Sequence, residues 1–336
     1  MSGFWSKARG AGVLGAILVL CAAQVPAWAQ DEEAAASAPA VVASAGQRPS
    51  TPVPTPDVVS IVLRGAGTFG GDIGMVTQVF KPAGEGPFPV VIFSHGRAGD
   101  AIDRTRMSRP VAAEQVRYWL SRGMAVVAPI RPGYGSTGGV DVENSGARFD
   151  SNGQCTSRPA YRAMAAAAKK TVGAALAWVQ GQPWADGRHV ILAGQSVGGL
   201  TTVAAAADRP AGVLGYINFA GGTGGNPQLA PGRSCDPEQL TAVYTEFGRT
   251  TVLPNLWVYA ENDQYWGRDA PKAWHAGFAK GGSHTTFIHA PPVADGNGHA
   301  LSGHSRSLWA PYVDEFLRSI DLPASAGSEP VRGAKP

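Results

Sequence analysis

The pentapeptide Gly194-Gln195-Ser196-Val197-Gly198 limits what this chain can fold into more than any other stretch, because of what flanks it. His189-Val190-Ile191-Leu192-Ala193 reads as a buried strand, and Gly199 to Ala207, ending in four alanines, reads as a helix. A strand that becomes a helix across one residue forces that residue into a strained conformation. Side chains two positions away on either side would collide there, and Gly194 and Gly198 have none. A helix starting at Val197 also aims unpaired N–H groups at the serine. With 44 glycines in 336 residues the match alone is weak, and the strand-turn-helix setting gives it weight. The bland alternative is a glycine-rich turn with an N-capping serine.

The surrounding pattern agrees. "VVSIVL" (58–63) and "MVTQVFKP" (75–82) read as two early strands joined antiparallel at a sheet edge, and "FPVVIFSHG" (88–96) is apolar on both faces, as a central strand should be. A helix near 111–121, the strand "MAVVAPI" and an Ala-rich helix near 159–179 precede the serine. After its helix come "VLGYINFA", a helix near 237–247, "LWVYA", a helix near 270–279, "HTTFIHA" and a last helix near 307–320. Alternating strands and helices predict a mostly parallel sheet covered on both faces, with ligand chemistry beyond the carboxyl ends of its strands.

The N-terminus carries Lys7 and Arg9, an apolar run from Ala11 to Ala23, and Ala27-Trp28-Ala29. Residues 1–29 are read as a secretory signal peptide cleaved after Ala29, since the run is short of the roughly 18 to 20 residues a membrane span needs. No stable membrane anchor is expected after cleavage, and the product would be periplasmic or secreted. Loss of Lys7 and Arg9 leaves 26 basic against 25 acidic residues, which gives no reason to expect a nucleic-acid partner. Residues 30–56, ending "PSTPVPTPD", read as a disordered Ala/Pro-rich linker, 57–322 as one globular domain and 323–336 as a flexible tail. Export makes a disulfide between Cys155 and Cys235 the expected state, with two buried thiols as the alternative.

The elbow in this setting resembles that of the α/β-hydrolase superfamily, and within it the dienelactone-hydrolase-like exported esterases, over essentially all of 57–322. Dienelactone hydrolase itself has a cysteine where this chain has Ser196, so the resemblance implies the fold and ester chemistry rather than that enzyme's substrate. The family order of serine, acid, histidine directs the search for the acid to "NLWVYAENDQYWG", where Asp263 follows the strand; Glu261 is the alternative. The base is sought in "DGNGHALSGHS", where His299 matches the Gly-His-Ala-Leu pattern and His304 is the alternative near the last helix. The resemblance also implies an oxyanion hole from the backbone N–H groups of Arg97, in "SHGRAG", and Val197. The Arg97 side chain is expected to be available to an anionic substrate group, and Asp269 to cap the helix after it. Tyr134, in "IRPGYGSTGG", is expected to pack beneath the elbow. Tyr265 and Trp266 are candidates to line an acyl or alcohol pocket, ordinary loop packing being the alternative.

No cofactor or metal is expected. "GGTGGN" lacks the end of a phosphate loop, "DGNG" lacks the later acidic ligand of a calcium loop, and no His/Cys spacing suits zinc. The expectation is a serine hydrolase cleaving small-molecule or polymer carboxylic esters through an acyl-enzyme. A peptidase on the same fold and a non-catalytic binding protein are the alternatives. The sequence leaves the oligomeric state open.

Overall fold

The computed structural model describes residues 52–294 and 296–324. The expected signal peptide, most of the linker and nearly all of the tail lie outside the described residues.

Strands β1 (Asp57–Leu63) and β2 (Ile73–Phe80) form an antiparallel pair at one edge. β3 (Phe88–Ser94) is followed by the short helix α1 (Ala101–Thr105) and by α2 (Ala113–Leu120), then β4 (Ala125–Pro129) and the long α3 (Tyr161–Gln180). β5 (Ala185–Gln195) runs through Ser196 into α4 (Val197–Ala206); β6 (Val213–Phe219), α5 (Pro237–Thr250), β7 (Asn255–Ala260), α6 (Ala270–Lys280) and β8 (Thr285–Ala290) follow. Two helices follow, α7 (Leu301–His304) and α8 (Arg306–Ser319). The eight strands are ordered β1-β2-β4-β3-β5-β6-β7-β8, and only β2 pairs antiparallel with its neighbours. This is the α/β-hydrolase fold.

Burial explains why these segments are strands. Every residue of β4 and of β7 is buried; successive side chains point to opposite faces, so both faces of the sheet are covered. The buried positions of α3, among them Tyr161, Met164, Ala168, Val172, Ala175 and Val179, recur every three or four residues and make one apolar stripe, which packs on α4 and on β1, β3 and β5. On the other helical group, α7 packs against α2 and α8.

Element types agree with the sequence expectations and the ends differ by a few residues. Helices α1 and α7 are too short for a periodic signal. Asp269 stands at the N-cap of α6, but its side chain makes no capping bond and pairs with Lys272 instead. Cys155 and Cys235 form a disulfide, their Cα atoms 5.0 Å apart and 80 positions apart in sequence.

The parallel register lines up the carboxyl ends of β3, β5 and β6: Ser94 stands beside Gly194, and Gln195 beside Phe219. The β3 loop therefore lies against the turn that carries Ser196. A Cβ on Gly198 would fall on the carbonyl oxygens of Ser94 and His95. Gly198→Ala is thus expected to lower the free energy of unfolding by about 1–3 kcal/mol or more through overpacking, measured by denaturant unfolding.

Candidate active site

Ser196 sits at φ 58° and ψ −125°, a left-handed backbone that few non-glycine residues adopt. The turn is fastened on both sides: Ser196 N–H donates to the Phe219 carbonyl (3.0 Å) and Gly222 N–H to the Ser196 carbonyl (3.1 Å). Gly194 is as tightly placed as Gly198, since a Cβ there would strike the Gly198 carbonyl. The collision predicted between the two flanking positions is what the structure contains.

The loop after β7 carries Asp263, buried at 2% exposure. Its Oδ1 accepts from the backbone N–H groups of Tyr265 (2.8 Å) and Trp266 (3.1 Å), which hold the carboxyl group in one orientation. His299 Nδ1 lies 3.0 Å from Oδ2 and 3.2 Å from Oδ1 of the same carboxyl. With Nδ1–H donating a hydrogen bond to the Asp263 carboxylate, the imidazole keeps a lone pair on Nε2. Tyr265 stacks on the imidazole, ring centres 4.1 Å apart, and Trp266 meets it edge-on at 5.2 Å. His299 is buried and lines a cavity of about 780 Å³ together with Ser196. His304 lines the same cavity from the exposed end of α7 and makes no bond to Asp263. Glu261 points away, into an ion pair with Arg268.

Two side chains that no sequence signal singled out hold this arrangement. Asn262 Nδ2 donates to the Val293 carbonyl and its Oδ1 accepts from Val293 N–H, both at 2.9 Å, clamping the acid loop to the histidine loop. Gln195 Nε2 donates to the His299 carbonyl at 3.0 Å, tying the histidine loop to the serine turn. Both partners lie more than thirty positions away, so no local pattern could have flagged them.

On the other side of Ser196 lies the β3 loop. No hydrogen bond from Arg97 N–H or Val197 N–H is formed among the described residues. His95 fixes this loop: its Nδ1 bonds the Gly96 carbonyl (2.6 Å) and its Nε2 accepts from Arg131 N–H (3.1 Å), which defines a neutral ring. Burial first, and the Arg131 charge second, push the His95 pKa well below the ordinary imidazole value. Tyr134 packs edge-on against His95 at 4.6 Å. Beneath it Glu143, another residue the sequence did not reveal, accepts from Tyr134 (2.8 Å) and from Arg131, both charged side chains being 1% exposed.

The Arg97 guanidinium corrects an expectation. It is paired with Asp141 and also donates to the Glu143 carbonyl (3.2 Å) and the Ala98 carbonyl (3.1 Å), while Arg104 shares the same Asp141 at 3.3 Å. So engaged, the Arg97 side chain pins the loop whose backbone borders Ser196, although it still lines both cavities. Tyr265 lines the large cavity and also a second one of about 390 Å³. Trp266 borders only the second of these two, and at 2% exposure it chiefly packs, its Nε1 donating to the Ala220 carbonyl at 2.7 Å. Among the described residues no group of three or more His, Cys, Asp or Glu could hold a metal ion.

Fold and site together define a serine hydrolase of the α/β-hydrolase fold. The chain belongs to the family described as X-Pro dipeptidyl-peptidase (S15 family), whose model matches residues 70–242. No curated protein matches the chain. Among solved structures it is similar to an esterase of Thermogutta terrifontis, with a TM-score of 0.53, 15% identity and coverage of 82% of this chain and 96% of that one. It is similar to the Pyrococcus furiosus esterase Pf2001, with a TM-score of 0.51, 11% identity and coverage of 79% and 90%. Dipeptidyl peptidase 4 of Porphyromonas gingivalis matches with a TM-score of 0.53 and 12% identity over 80% of this chain, which spans only 36% of that protein. At these identities the likeness carries the fold alone.

Two neutral imidazoles, His95 buried and His275 half-buried, link stability to pH. His95 is held well below the ordinary value, and His275, bonded to Thr285 at 3.0 Å, is pushed down to about 4 by burial. Below pH ~6.5 the unfolded chain binds protons that the folded chain does not, so stability is fully present above that pH and falls as pH drops toward 4. Denaturant unfolding across this window should show the loss, and His275→Gln a shallower slope.

Proposed function

We propose that this protein is an exported esterase that cleaves carboxylic esters through an acyl-enzyme on Ser196, with His299 as base and Asp263 as its orienting acid. The observation that carries the reading is the strained Ser196 turn opening into one cavity with an imidazole whose Nδ1 is bonded to a buried carboxyl. In the first step His299 Nε2 takes the Ser196 hydroxyl proton while Oγ attacks the carbonyl carbon. The carbonyl oxygen becomes an oxyanion, stabilised by the N–H groups of Arg97 and Val197, one such donor being worth roughly 3–4 kcal/mol. Collapse breaks the C–O bond, the leaving alkoxide takes the proton from His299, and the acyl group stays on Ser196. Water, deprotonated by the same imidazole, then releases the acid and restores the serine. No cofactor is needed.

Ester rather than dipeptide specificity is supported by the cavity linings. Peptidases that release dipeptides commonly hold the substrate's free amine with a carboxylate. The carboxylate in the lining of the smaller cavity is that of Glu143, which is 1% exposed and committed to Arg131 and Tyr134. In the larger cavity Glu114 is paired with Arg117 and Arg306. The family described as X-Pro dipeptidyl-peptidase keeps the peptidase as the second reading. Kinship with dienelactone-hydrolase-like enzymes, the signal peptide and a periplasmic or extracellular location belong to this proposal; the Cys155–Cys235 bond is compatible with export. Its partners are taken to be soluble or polymeric esters, with neither nucleic acid nor membrane involved.

Steady-state kinetics with p-nitrophenyl acetate and with glycyl-prolyl-p-nitroanilide test the assignment. The ester should turn over and the anilide should not. His299→Ala should lose about 10⁴-fold or more in kcat, as removal of a triad base does in other hydrolases, while His304→Ala should change it by less than about threefold. Turnover of the anilide with none of the ester would establish the peptidase.

A further inference from the structure

The two cavities that meet at Ser196 are not equivalent. His299 lines the larger one and Val197 the smaller. If the ester reading above holds, the leaving alkoxide takes its proton from His299, so the alcohol portion occupies the larger cavity. The carbonyl oxygen lies between the N–H groups of Arg97 and Val197, and the remaining direction for the acyl substituent is the smaller cavity of about 390 Å³.

The walls of that smaller cavity come from two loops far apart in sequence. One supplies Asn144, Ser145 and Phe149, the other Thr223 and Asn226. The Cys155–Cys235 disulfide joins these loops, and each cysteine is one backbone pairing away from the cavity. Cys155 forms a β-bridge with Phe149, and Cys235 N–H donates to the carbonyl of Gly224, itself a lining residue, at 2.9 Å. Tyr161, at the start of α3, bonds the Cys235 carbonyl from below. A second tie between the loops, from Arg233 Nη2 to the Gly153 carbonyl (3.0 Å), is a single hydrogen bond from a long, flexible side chain. Each wall is also fastened to α3, Ser145 through its carbonyl to Ala160 N–H (2.7 Å) and Thr223 through its hydroxyl to Met164 Sδ (3.4 Å), and the disulfide is the covalent tie that joins one wall directly to the other.

We propose that the Cys155–Cys235 disulfide sets the width of the acyl subsite and so determines which acyl groups the enzyme accepts, leaving the choice of alcohol untouched. The proposal rests on the esterase reading. It makes the bond a specificity determinant of the same site.

The test compares kcat/KM of the wild-type chain and Cys155→Ser/Cys235→Ser in two series. One varies the acyl group, with p-nitrophenyl acetate, butyrate and octanoate; the other varies the alcohol, with the acetates of p-nitrophenol, 4-methylumbelliferone and 1-naphthol. In the double variant the acetate-to-octanoate ratio should move at least fivefold, while ratios within the acetate series stay within twofold of wild type. Asn144→Trp, which keeps the disulfide and fills the cavity from an exposed position, should reject octanoate at least tenfold relative to acetate without changing the alcohol series. If the double variant does not fold, the wild-type chain assayed with and without prior reduction of the bond by dithiothreitol decides the matter by the same two sets of ratios. Unchanged acyl ratios, or both series shifting together, would overturn the proposal. A wild-type chain that hydrolyses neither series would instead overturn the esterase reading beneath it.

Discussion

A serine backbone held at φ 58° costs on the order of 1–3 kcal/mol, and the rest of the site follows from the way this fold sustains that cost. β5 and α4 are buried in the core on either side of the turn, so neither can shift to relax it. The glycines at 194 and 198 let the two elements and the β3 loop close to a separation that any Cβ would forbid. The outcome is a hydroxyl at the mouth of a pocket, at the start of a helix whose first N–H groups have no intrahelical partner.

Everything else around Ser196 is a loop, and loops need fastening. On the base side Asn262 and Gln195 bind the histidine loop to the acid loop and to the serine turn, so the Asp263–His299 pair moves as one body. On the other side of Ser196 the fastening is charged: half-buried Asp141 takes Arg97 and Arg104, and buried Glu143 takes Arg131 and Tyr134. Buried pairs of this kind contribute little net stability, yet removing one partner leaves an uncompensated charge and is costly. Their value here lies in fixing one conformation of the 94–99 and 131–143 segments, with neutral His95 as the link between them.

The fold was legible because its signals are local. The apolar runs of β3 and β5, the alanine-rich stripe of α3 and the Gly-Gln-Ser-Val-Gly turn each state their structure within a dozen residues. The positions of Ser196, Asp263 and His299 were legible for a different reason, since each follows a strand at the carboxyl edge of the sheet. Asn262, Glu143 and Asp141 were not, because their partners lie in other loops and a lone Asn or Glu in a loop reads as solvated. Arg97 shows the opposite failure: its place beside the serine was legible, but its pairing with Asp141 depends on a turn 44 positions away. The disulfide was legible as a pairing, while its place between the walls of a cavity was not.

The central claim is that one hydroxyl among all those in the chain has been made nucleophilic. Intact-mass and peptide mass spectrometry after incubation with a fluorophosphonate tests it directly. A single adduct on Ser196, absent from Ser196→Ala and slowed in His299→Ala, is the predicted result. An unlabelled folded protein, or an adduct on any other residue, would contradict it.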